Sequence, residues 1–444
     1  MVSAEAEPSM STEAEPSMST EAEPSMSTER QPARSFAALS RTDLATLVPE
    51  LLLCGQLIDR SGMAHLIGEF GREGMTQVAI EEWQASSPWY TRRMQKALRY
   101  EGDDVVTIFK GLQLDIGAPP QFMDFRYRVD DPQHGEFRLD HCGALMDVEP
   151  LGDEYVTAMC HDIEDPTFDA TALATNPHAQ VRPVHRPPRR PADRHPHCAW
   201  TVTIDDAHVP PVTAPHTAQI GRTAAVSVEL SPIETGGGGA DDYSGPLLSD
   251  VRFGDFSRSA LVRIAEEVCL QHHLLALGFL IAVRKRVDEG KAREITRKQL
   301  TGIAGVAAQR IRDALGLPDD LEGLATVLSL HPLLSPKQYV HNEVRLDGQR
   351  LELWLGRDGL VDADGGWPAL IDGEHLDALQ ALVRGVNPHF TVRVVGEDAA
   401  GLTVAVDRTA EPAPECVEVA ITKVSTGAAF VFKDRGIPLP LYVV

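Results

Sequence analysis

The sequence predicts an α+β protein: a helical N-terminal segment packed on an antiparallel sheet, then a C-terminal α+β domain of helices followed by strands. Three observations carry this prediction. Apolar residues recur every three or four positions between Phe36 and Tyr100, strict alternation begins at Met123, and helical and then strand-like periodicity returns after Gly236–Gly239. These are the periods of buried helix faces and of half-buried strands.

The N-terminal helical segment is defined by its apolar spacing. Ser87-Pro88 is predicted to interrupt this run and to start another helix, because proline suits a first helical turn. A shorter helix is predicted over 104–114. The positions with helical spacing are Leu44, Leu47, Leu51, Leu52, Ile58, Leu66, Ile67 and Phe70.

The sheet of the first domain begins with a predicted β-hairpin. Residues 123–129 alternate apolar and polar side chains, 130–135 supply turn chemistry, and 137–141 alternate again. The remaining elements predicted here are a short helix over 153–161, opened by an N-terminal aspartate, and strands over 181–185 and 200–204.

The second half is predicted to be a separate domain. The glycine-rich segment 233–248 is the predicted linker, so the domains run over 36–232 and 249–444. Helices are predicted over 257–287, 295–315 and 321–330. Strands are predicted over 344–346, 351–355, 390–395, 402–406, 417–422 and 429–432.

The first 35 residues form an acidic tail with an eight-residue repeat. Ser3–Met10 reads SAEAEPSM, and the next two copies read STEAEPSM. The tail has a proline in every copy and no aromatic residue before Phe36, so it cannot bury enough apolar surface to offset its chain entropy. It is therefore predicted to be disordered.

Composition restricts the classes of partner. The 444 residues include 65 acidic and 41 basic side chains, for a formal charge of −24. Sequence-independent nucleic-acid binding requires a basic face, and anionic membranes also attract basic segments. Both partners are therefore excluded at this stage. Small molecules are the expected ligands, and a protein partner could bind through the C-terminal domain.

The expected location is the cytoplasm. The N-terminus lacks the basic start and apolar run of a signal peptide. The most apolar segment, 274–283, ends at the basic run Arg284–Arg286 and is too short for a membrane helix. Six scattered cysteines, without a CxxC pair, predict free thiols, core residues or metal ligands rather than a disulfide scaffold.

Reactive side chains are concentrated between His134 and His216. This stretch holds nine of the sixteen histidines and three of the six cysteines, in the clusters His141-Cys142, Cys160-His161-Asp162 and His195-Pro196-His197-Cys198. Thiolate, imidazole and carboxylate groups bind zinc and iron, and an imidazole also activates a sulfur nucleophile. Both chemistries remain open.

The order of these residues resembles a known family. Cys142, then Cys160 with Asp162, then Asn176-Pro177, and an Arg/Pro-rich run ending at Cys198 with Trp200 beyond it are similar to the L-2-amino-thiazoline-4-carboxylic acid hydrolase-like family. The resemblance covers about residues 125–204. It implies a small α+β domain with helices in front, and hydrolytic opening of a cyclic amidine ring.

The residues themselves suggest roles for one catalytic site. Cys160 is the candidate nucleophile or metal ligand, with His161 or His197 as its base and Asp162 orienting an imidazole. The alternative is that Cys160 packs in a core. Cys142 falls on the polar face of its strand and suits a pocket wall. Cys198 falls in register with apolar residues and suits a core.

Two further groups complete the candidate site. Arg182 and Arg186 could hold a substrate carboxylate through their guanidinium forks, or could pair with acids of the protein. Zinc or iron could be held by Cys142, Cys160, Cys198 and His197, although no familiar zinc spacing is present.

Two functions are consistent with this sequence. The first is a hydrolase acting on a small C–N-bonded carboxylic acid, such as a cyclic amidine or thiazoline, through Cys160, His161 and Asp162. The second is a non-catalytic module that binds a metal or a small ligand, with a protein-interaction domain at its C-terminus. No Walker, GxGxxG, GxSxG or HExxH motif is present, so the common enzyme classes with those motifs are not indicated.

Overall fold

A computed structural model describes residues 35–423. The acidic repeat and the strand predicted over 429–432 lie outside the described residues. The described chain is an α+β protein with two antiparallel four-stranded sheets, as predicted. Its first elements are α1 (Arg41–Ala97), α2 (Val105–Leu112), β1 (Met123–Asp131), β2 (His134–Cys142), α3 (Gly143–Val148), α4 (Asp153–Thr157), α5 (Glu164–Leu173), β3 (Ala179–His185), β4 (Cys198–Ile204), α6 (Pro215–Ile220) and α7 (Ala224–Ser227).

The second group of elements follows the glycine-rich segment. It comprises α8 (Arg258–Arg284), α9 (Glu289–Ala314), α10 (Leu321–Leu330), β5 (Asn342–Asp347), β6 (Arg350–Gly356), α11 (Leu360–Asp364), α12 (Asp377–Val386), β7 (Phe390–Glu397), β8 (Gly401–Arg408) and α13 (Val417–Lys423). Every helix predicted in this half is present, and α12 is an additional helix that the periodicity did not predict.

Helix α1 is a helical hairpin that reverses at Gly71. Ser40 caps its start by accepting a hydrogen bond from the Asp43 amide. Gly71 has φ 69° and ψ 179°, a left-handed conformation that glycine adopts without steric cost. Trp83 lies close enough to Asp59 to lower its pKa, and both residues line one cavity, although a straight helix would separate them by about 36 Å. We call the two arms α1a (41–70) and α1b (72–97).

The predicted interruption at Ser87-Pro88 is wrong, because α1b continues through Pro88. A proline inside a helix has no amide hydrogen for the carbonyl four residues earlier. Here that carbonyl belongs to Gln84, and it accepts a hydrogen bond of 2.9 Å from the Thr217 hydroxyl on α6. The tertiary contact therefore compensates the bond that Pro88 removes.

Helices α8 and α9 pack on the α1 hairpin to form one four-helix layer. The Ser86 hydroxyl donates to the Leu274 carbonyl at 2.8 Å, and the Ser61 hydroxyl donates to the Gln299 carbonyl at 2.7 Å. Helix α8 is long and apolar enough to cross a bilayer, but 94% of its most apolar window is buried in this fold. It is therefore the core helix of the layer.

The two sheets have the same topology. Their strand orders are β1-β2-β4-β3 and β5-β6-β8-β7, and every neighbouring pair is antiparallel. The predicted hairpin and both later strands of the first sheet are present, as are four predicted strands of the second. The helix predicted over 153–161 begins as α4 but continues as a π-helix, Ala158–Ile163.

The strand predicted over 417–422 is wrong, because this segment is helix α13. Its β-branched residues suggested a strand, but two of them, Val419 and Thr422, are buried three positions apart. A side chain at Gly302 or Gly305 of α9 would lie 2.6 Å from Thr422 or Val419. The close approach of two helices at these glycines decides the local structure, which propensity alone does not.

The two halves are copies of one architecture. Residue pairing matches across the sheets: Phe137 pairs with Trp200 where Leu353 pairs with Val404, and Leu139 pairs with Cys198 where Leu355 pairs with Leu402. Serines cap the first long helix of each half, at Ser40 and Ser257. Ser257 follows Ser40 by the same number of residues as Gly316 follows Arg99. Each residue of segment 40–99 therefore corresponds to one residue of segment 257–316.

Local hydrogen bonds repeat in the same way. The Asn176 side chain donates to the Asp103 carbonyl, and that of Asn387 donates to the Asp319 carbonyl. Each asparagine precedes a proline and a histidine. The two copies also exchange contacts: Arg41 donates to the Gly254 carbonyl, and Arg258 donates to the Ala37 carbonyl. This reciprocity is typical of a two-fold arrangement.

Arg99 and Gly316 provide a direct test of this correspondence. Both follow a long helix with positive φ, 53° and 58°. A side chain in this conformation costs about 1 kcal/mol. We expect Arg99→Gly to be more stable than Arg99→Ala by about 1 kcal/mol in urea unfolding. Both variants remove the same charge, so equal stability would contradict the assignment. Gly316→Ala should lose about 1 kcal/mol.

Candidate functional site

The three cysteines of the predicted site form one buried cluster. Cys142 caps α3 and accepts from the Leu145 amide at 3.4 Å, Cys160 lies in the π-helix, and Cys198 begins β4. Each is less than 5% exposed, and Cys142 and Cys198 are close enough to Cys160 for their charges to raise its pKa. The π-helix is notable because such segments are frequent at functional sites.

The thiols of this cluster are protonated near neutral pH. Burial, followed by the charge of Glu164, raises the pKa of Cys142 to about 12. The same two causes raise the pKa values of Cys160 and Cys198 well above the usual value. Because the thiolate is the nucleophilic form, none of the three is activated in this arrangement.

The residues predicted to assist Cys160 point elsewhere. The Nε2 of His161 hydrogen-bonds the Pro187 carbonyl at 2.6 Å, and Asp162 is exposed to solvent. His197 lies in a histidine cluster, with its ring centroid 5.7 Å from that of His141 and 5.1 Å from that of His195. Burial and then Arg189 lower the pKa of His197 to about 4, so its imidazole is neutral at pH 7.

The predicted carboxylate anchors already have acidic partners. Arg182 donates to both oxygens of Asp169 at 2.9 Å, and Arg186 forms an ion pair with Asp165 and lies over the Trp200 ring. These contacts correspond to the alternative considered for the arginines, pairing within the protein. A substrate carboxylate would have to compete with these acids.

The metal arrangement predicted for Cys142, Cys160, Cys198 and His197 does not form within residues 35–423. No group of three or more His, Cys, Asp or Glu side chains in that range is placed to hold a metal ion. The thiols are neighbours, but they do not meet with His197 at coordination distance. The zinc or iron prediction therefore has no support from this geometry.

A different set of residues lines a cavity that sequence reasoning missed. We call it the carboxyl cavity. It has a volume of about 80 Å³ and lies between the α1 hairpin, the loop after α2, and α5. Asp59, Asp115 and Glu164 bring their carboxyl groups to its wall, together with Gln56 and Trp83.

All three carboxyl groups have raised pKa values. Burial raises the pKa of Asp59 to about 7, against the hydrogen bond from Trp83. Burial raises that of Asp115 to about 6, although the Gly117 amide and the Tyr90 hydroxyl donate to its Oδ1. Burial, and then Asp165, raise that of Glu164 to about 8.

Several oxygens at this site lack hydrogen-bond partners. Oδ1 of Asp59, Oε2 of Glu164 and Oε1 of Gln56 are buried without a partner among the described residues. Behind Asp59, both carboxyl oxygens of Glu82 are also unpaired, and burial with the nearby charge of Asp59 raises its pKa well above the usual value. Buried polar atoms are nearly always satisfied, so this concentration requires an explanation.

The second half shows that the fold does not require an acid at the position of Asp59, although the positions of Gln56 and Glu82 hold the buried polar residues His273 and Gln299 there. Positions corresponding to Asp59 and Trp83 hold Ala276 and Leu300, which are fully or almost fully buried. Asp169 on α5 accepts from the Val181 amide of β3, and Gln380 on α12 accepts from the Val392 amide of β7. These equivalent bonds align α5 with α12, so Leu382 occupies the position of the cavity residue Thr171. The positions of Asp59, Trp83 and Thr171 therefore hold apolar side chains in the second copy.

Two signals in the sequence could have revealed this site. Gln56 and Asp59 are polar residues three positions apart inside the apolar run of α1a. The pattern Asn-Pro-His-x-x-Val-Arg at Asn176 and again at Asn387 marks the internal duplication, which allows the two halves to be compared position by position.

Comparisons with known proteins return no relative. No protein-family model matches the chain, no curated protein matches it, and no solved structure matches its fold. The function is therefore argued from the site alone.

Thiol exposure predicts a simple alkylation pattern. Five of the cysteines are buried and Cys416 is partly exposed. In the native protein we expect one thiol per chain to react rapidly with iodoacetamide, measured by mass spectrometry, and Cys416→Ser to abolish that rapid phase. Rapid modification of Cys160 would contradict the protonated, buried cluster.

The raised pKa of Asp59 predicts a pH-dependent loss of stability. The unfolded state releases this proton near pH 3.8, and the folded state retains it up to about 7. The free energy of unfolding therefore falls as pH rises between these values and is level above them. We expect the stability advantage of Asp59→Asn over the parent to grow by roughly 2–4 kcal/mol between pH 4 and pH 8.

Urea unfolding at the two pH values measures this difference. Glu73→Gln is the matched control, because it removes an exposed carboxyl from the same helical hairpin. It should show no pH-dependent gain. A constant difference between Asp59→Asn and the parent would mean that the Asp59 pKa is close to its usual value.

Proposed function

We propose that the carboxyl cavity binds the cationic group of a small nitrogen compound, an amidine or a related C–N-bonded group, and promotes hydrolysis of its C–N bond. The observation that carries the proposal is that Asp59, Asp115 and Glu164 line one cavity while two of them keep a buried oxygen unpaired. An amidinium would supply hydrogen-bond donors and positive charge together.

The charge balance around the cavity supports a cationic ligand. Arg60 is the basic residue acting on Asp59, but its guanidinium forms an ion pair with Asp147. Buried acids without a cationic partner are expensive, and the usual solutions are a bound cation or protonation. A cation that enters the cavity would balance the negative charge of the carboxyl groups, which no basic side chain among the described residues does there.

The volume limits the group that can enter. An apolar cavity of about 150 Å³ holds a six-carbon aromatic ring. The carboxyl cavity, at about 80 Å³, suits a group of roughly four or five non-hydrogen atoms. A planar amidinium has this size, so the rest of a larger substrate would extend outside the cavity.

The carboxyl groups have pKa values suited to acid–base chemistry. Asp115, with a pKa of about 6, is mostly ionised at pH 7 and can accept a proton from water. Glu164, with a pKa of about 8, is mostly protonated and can donate a proton to the departing nitrogen. Water forms the new C–O bond, the C–N bond breaks, and the nitrogen leaves as ammonia or an amine.

This assignment changes the roles expected for the thiols and arginines. The protonated thiols near Glu164 form part of its buried surroundings and do not attack the substrate. Arg186 acts on Glu164 by lowering its pKa, so it could hold a substrate carboxylate beside that group if Asp165 released it. The substrate class agrees with the amidine ring opening that the family resemblance implies.

The alternative is a module that binds the same cation without turning it over. The observation behind it is that Cys142, Cys160 and Cys198 are protonated, so none of these three thiols supplies a nucleophile and turnover would depend on the carboxyl groups alone. Both functions share the ligand and the cavity and differ only in whether the C–N bond is hydrolysed. Measuring binding and ammonia release together therefore separates them.

Acetamidinium and acetamide are matched probes for this test, because they have the same shape and differ in charge. At pH 8 we expect acetamidinium to bind at least ten times more tightly in calorimetry, and Asp59→Asn to lose about tenfold, the usual scale for a charged hydrogen bond. Glu73→Gln should bind as the parent does. Asp115→Asn should lower ammonia release from acetamidine about 100-fold.

Each outcome distinguishes the proposals. Binding with ammonia release that depends on Asp115 supports the hydrolase. Binding with release no faster than in buffer supports the non-catalytic module. Equal affinity for the two probes, or affinity unchanged in Asp59→Asn, overturns the cation site and with it both functions. Circular dichroism of each variant confirms that the fold is retained.

A further inference from the structure

A second and larger cavity lies on different faces of the helices that wall the carboxyl cavity. Its volume is about 620 Å³, within the range of small-molecule sites. On α1b, Gln84 faces it whereas Trp83 faces the carboxyl cavity, and on α5 the corresponding pair is Leu173 and Thr171. We call it the proline groove, after its lining residues Pro88, Pro166, Pro177, Pro210 and Pro211.

The proline groove carries positive charge in an acidic protein. Arg92 and Arg222 both line it. Arg222 is exposed, and its guanidinium has no hydrogen bond or ion pair within residues 35–423. Asp169 also lines the groove, but its Oδ1 already accepts from Arg182 and from the Val181 amide. Arg92 donates from Nε to the Ala174 carbonyl at 3.2 Å and from Nη2 to the Leu173 carbonyl at 3.4 Å. Arg222 and the Nη1 of Arg92 are therefore the groups available to an anion.

An indole ring provides a fixed aromatic wall. The Trp89 Nε1 donates to the Thr217 carbonyl at 2.8 Å, and the Arg92 guanidinium lies 5.5 Å from the ring centre. A side chain at Gly221 would lie 2.3 Å from the ring, so the backbone there sits directly against the indole. Trp89 is thus positioned before any ligand arrives, which reduces the entropy cost of binding.

The open side of the groove exposes apolar side chains. Val212, which lines it, is 94% exposed, and Val209 nearby is 85% exposed. Together with five prolines, these residues form an apolar surface that a planar ligand could cover. Covering such surface is favourable at roughly 25 cal/mol per Å².

The second half again serves as an internal comparison. A smaller cavity of about 240 Å³ occurs at the corresponding place, between α9, α12 and α13. It has Gln309 at the position of Arg92, and Val306 stands at the position of Trp89. The fold therefore produces a concavity with basic residues in both halves, since Arg312 and Arg384 line the second one, whereas the indole and an arginine beside it are specific to the first.

We propose that the proline groove binds a small aromatic acid. Its ring would pack between Trp89 and the proline wall, and its carboxylate would pair with Arg222 and with the Nη1 of Arg92. This site is independent of the carboxyl cavity, which selects the opposite charge.

Three naphthalene probes that differ only in charge test this proposal: 2-naphthoate, 2-naphthalenemethanol and 2-naphthylmethylammonium. In calorimetry we expect 2-naphthoate to bind at least ten times more tightly than the neutral alcohol, and the cation to bind least. Arg222→Gln should weaken the binding of 2-naphthoate about tenfold, because it removes a charge-assisted hydrogen bond to the carboxylate.

Two controls make the result specific. Arg252→Gln removes another exposed arginine that does not line the groove, and it should bind 2-naphthoate as the parent does. Asp59→Asn should also leave 2-naphthoate binding unchanged, which separates this site from the proposed function. Equal binding of the three probes, no binding of 2-naphthoate at about 5 mM, or an equal loss in Arg222→Gln and Arg252→Gln would overturn the proposal.

Discussion

The burial of helix α8 is the constraint on which the rest of the molecule depends. Every residue from Leu261 to Val283 except Arg263 is buried, so the helix must be covered along nearly its whole length. Its Gly278 allows this, because a side chain there would lie 2.7 Å from the Glu82 carbonyl of α1b. The α1 hairpin, which covers α8, also builds one wall of the carboxyl cavity. The position of Asp59 and Trp83 thus follows from helix packing in the core.

Local patterns were sufficient for the strands because alternation directly reports which face is buried. Residues 123–129 and 351–355 were predicted on that basis, and both are strands. Patterns failed where a distant contact decided the outcome. Thr217 satisfies the carbonyl that Pro88 leaves free, and the glycines of α9 admit α13 as a helix. Neither partner can be recognised from the local sequence.

The candidate site was less accessible to sequence reasoning than the fold. The cysteines occur beside histidines in the sequence, which indicates a site, and the fold does bring Cys142, Cys160 and Cys198 together. The carboxyl groups of Asp59, Asp115 and Glu164 are dispersed among elements far apart in the chain, and each resembles an ordinary acidic residue. Their importance depends on desolvation, which is a property of the folded environment and not of the local sequence.

The duplicated architecture shows which buried residues the fold requires and which it does not. The second half places Ala276 and Leu300 where the first has Asp59 and Trp83, within the same arrangement of two long helices and a four-stranded sheet. A buried acid without a partner lowers the stability of the fold. Because the second half forms the same architecture without an acid at this position, Asp59 has no structural role that would explain its burial. The second half then has a clear physical role, because α8 and α9 supply the apolar layer on which the α1 hairpin rests.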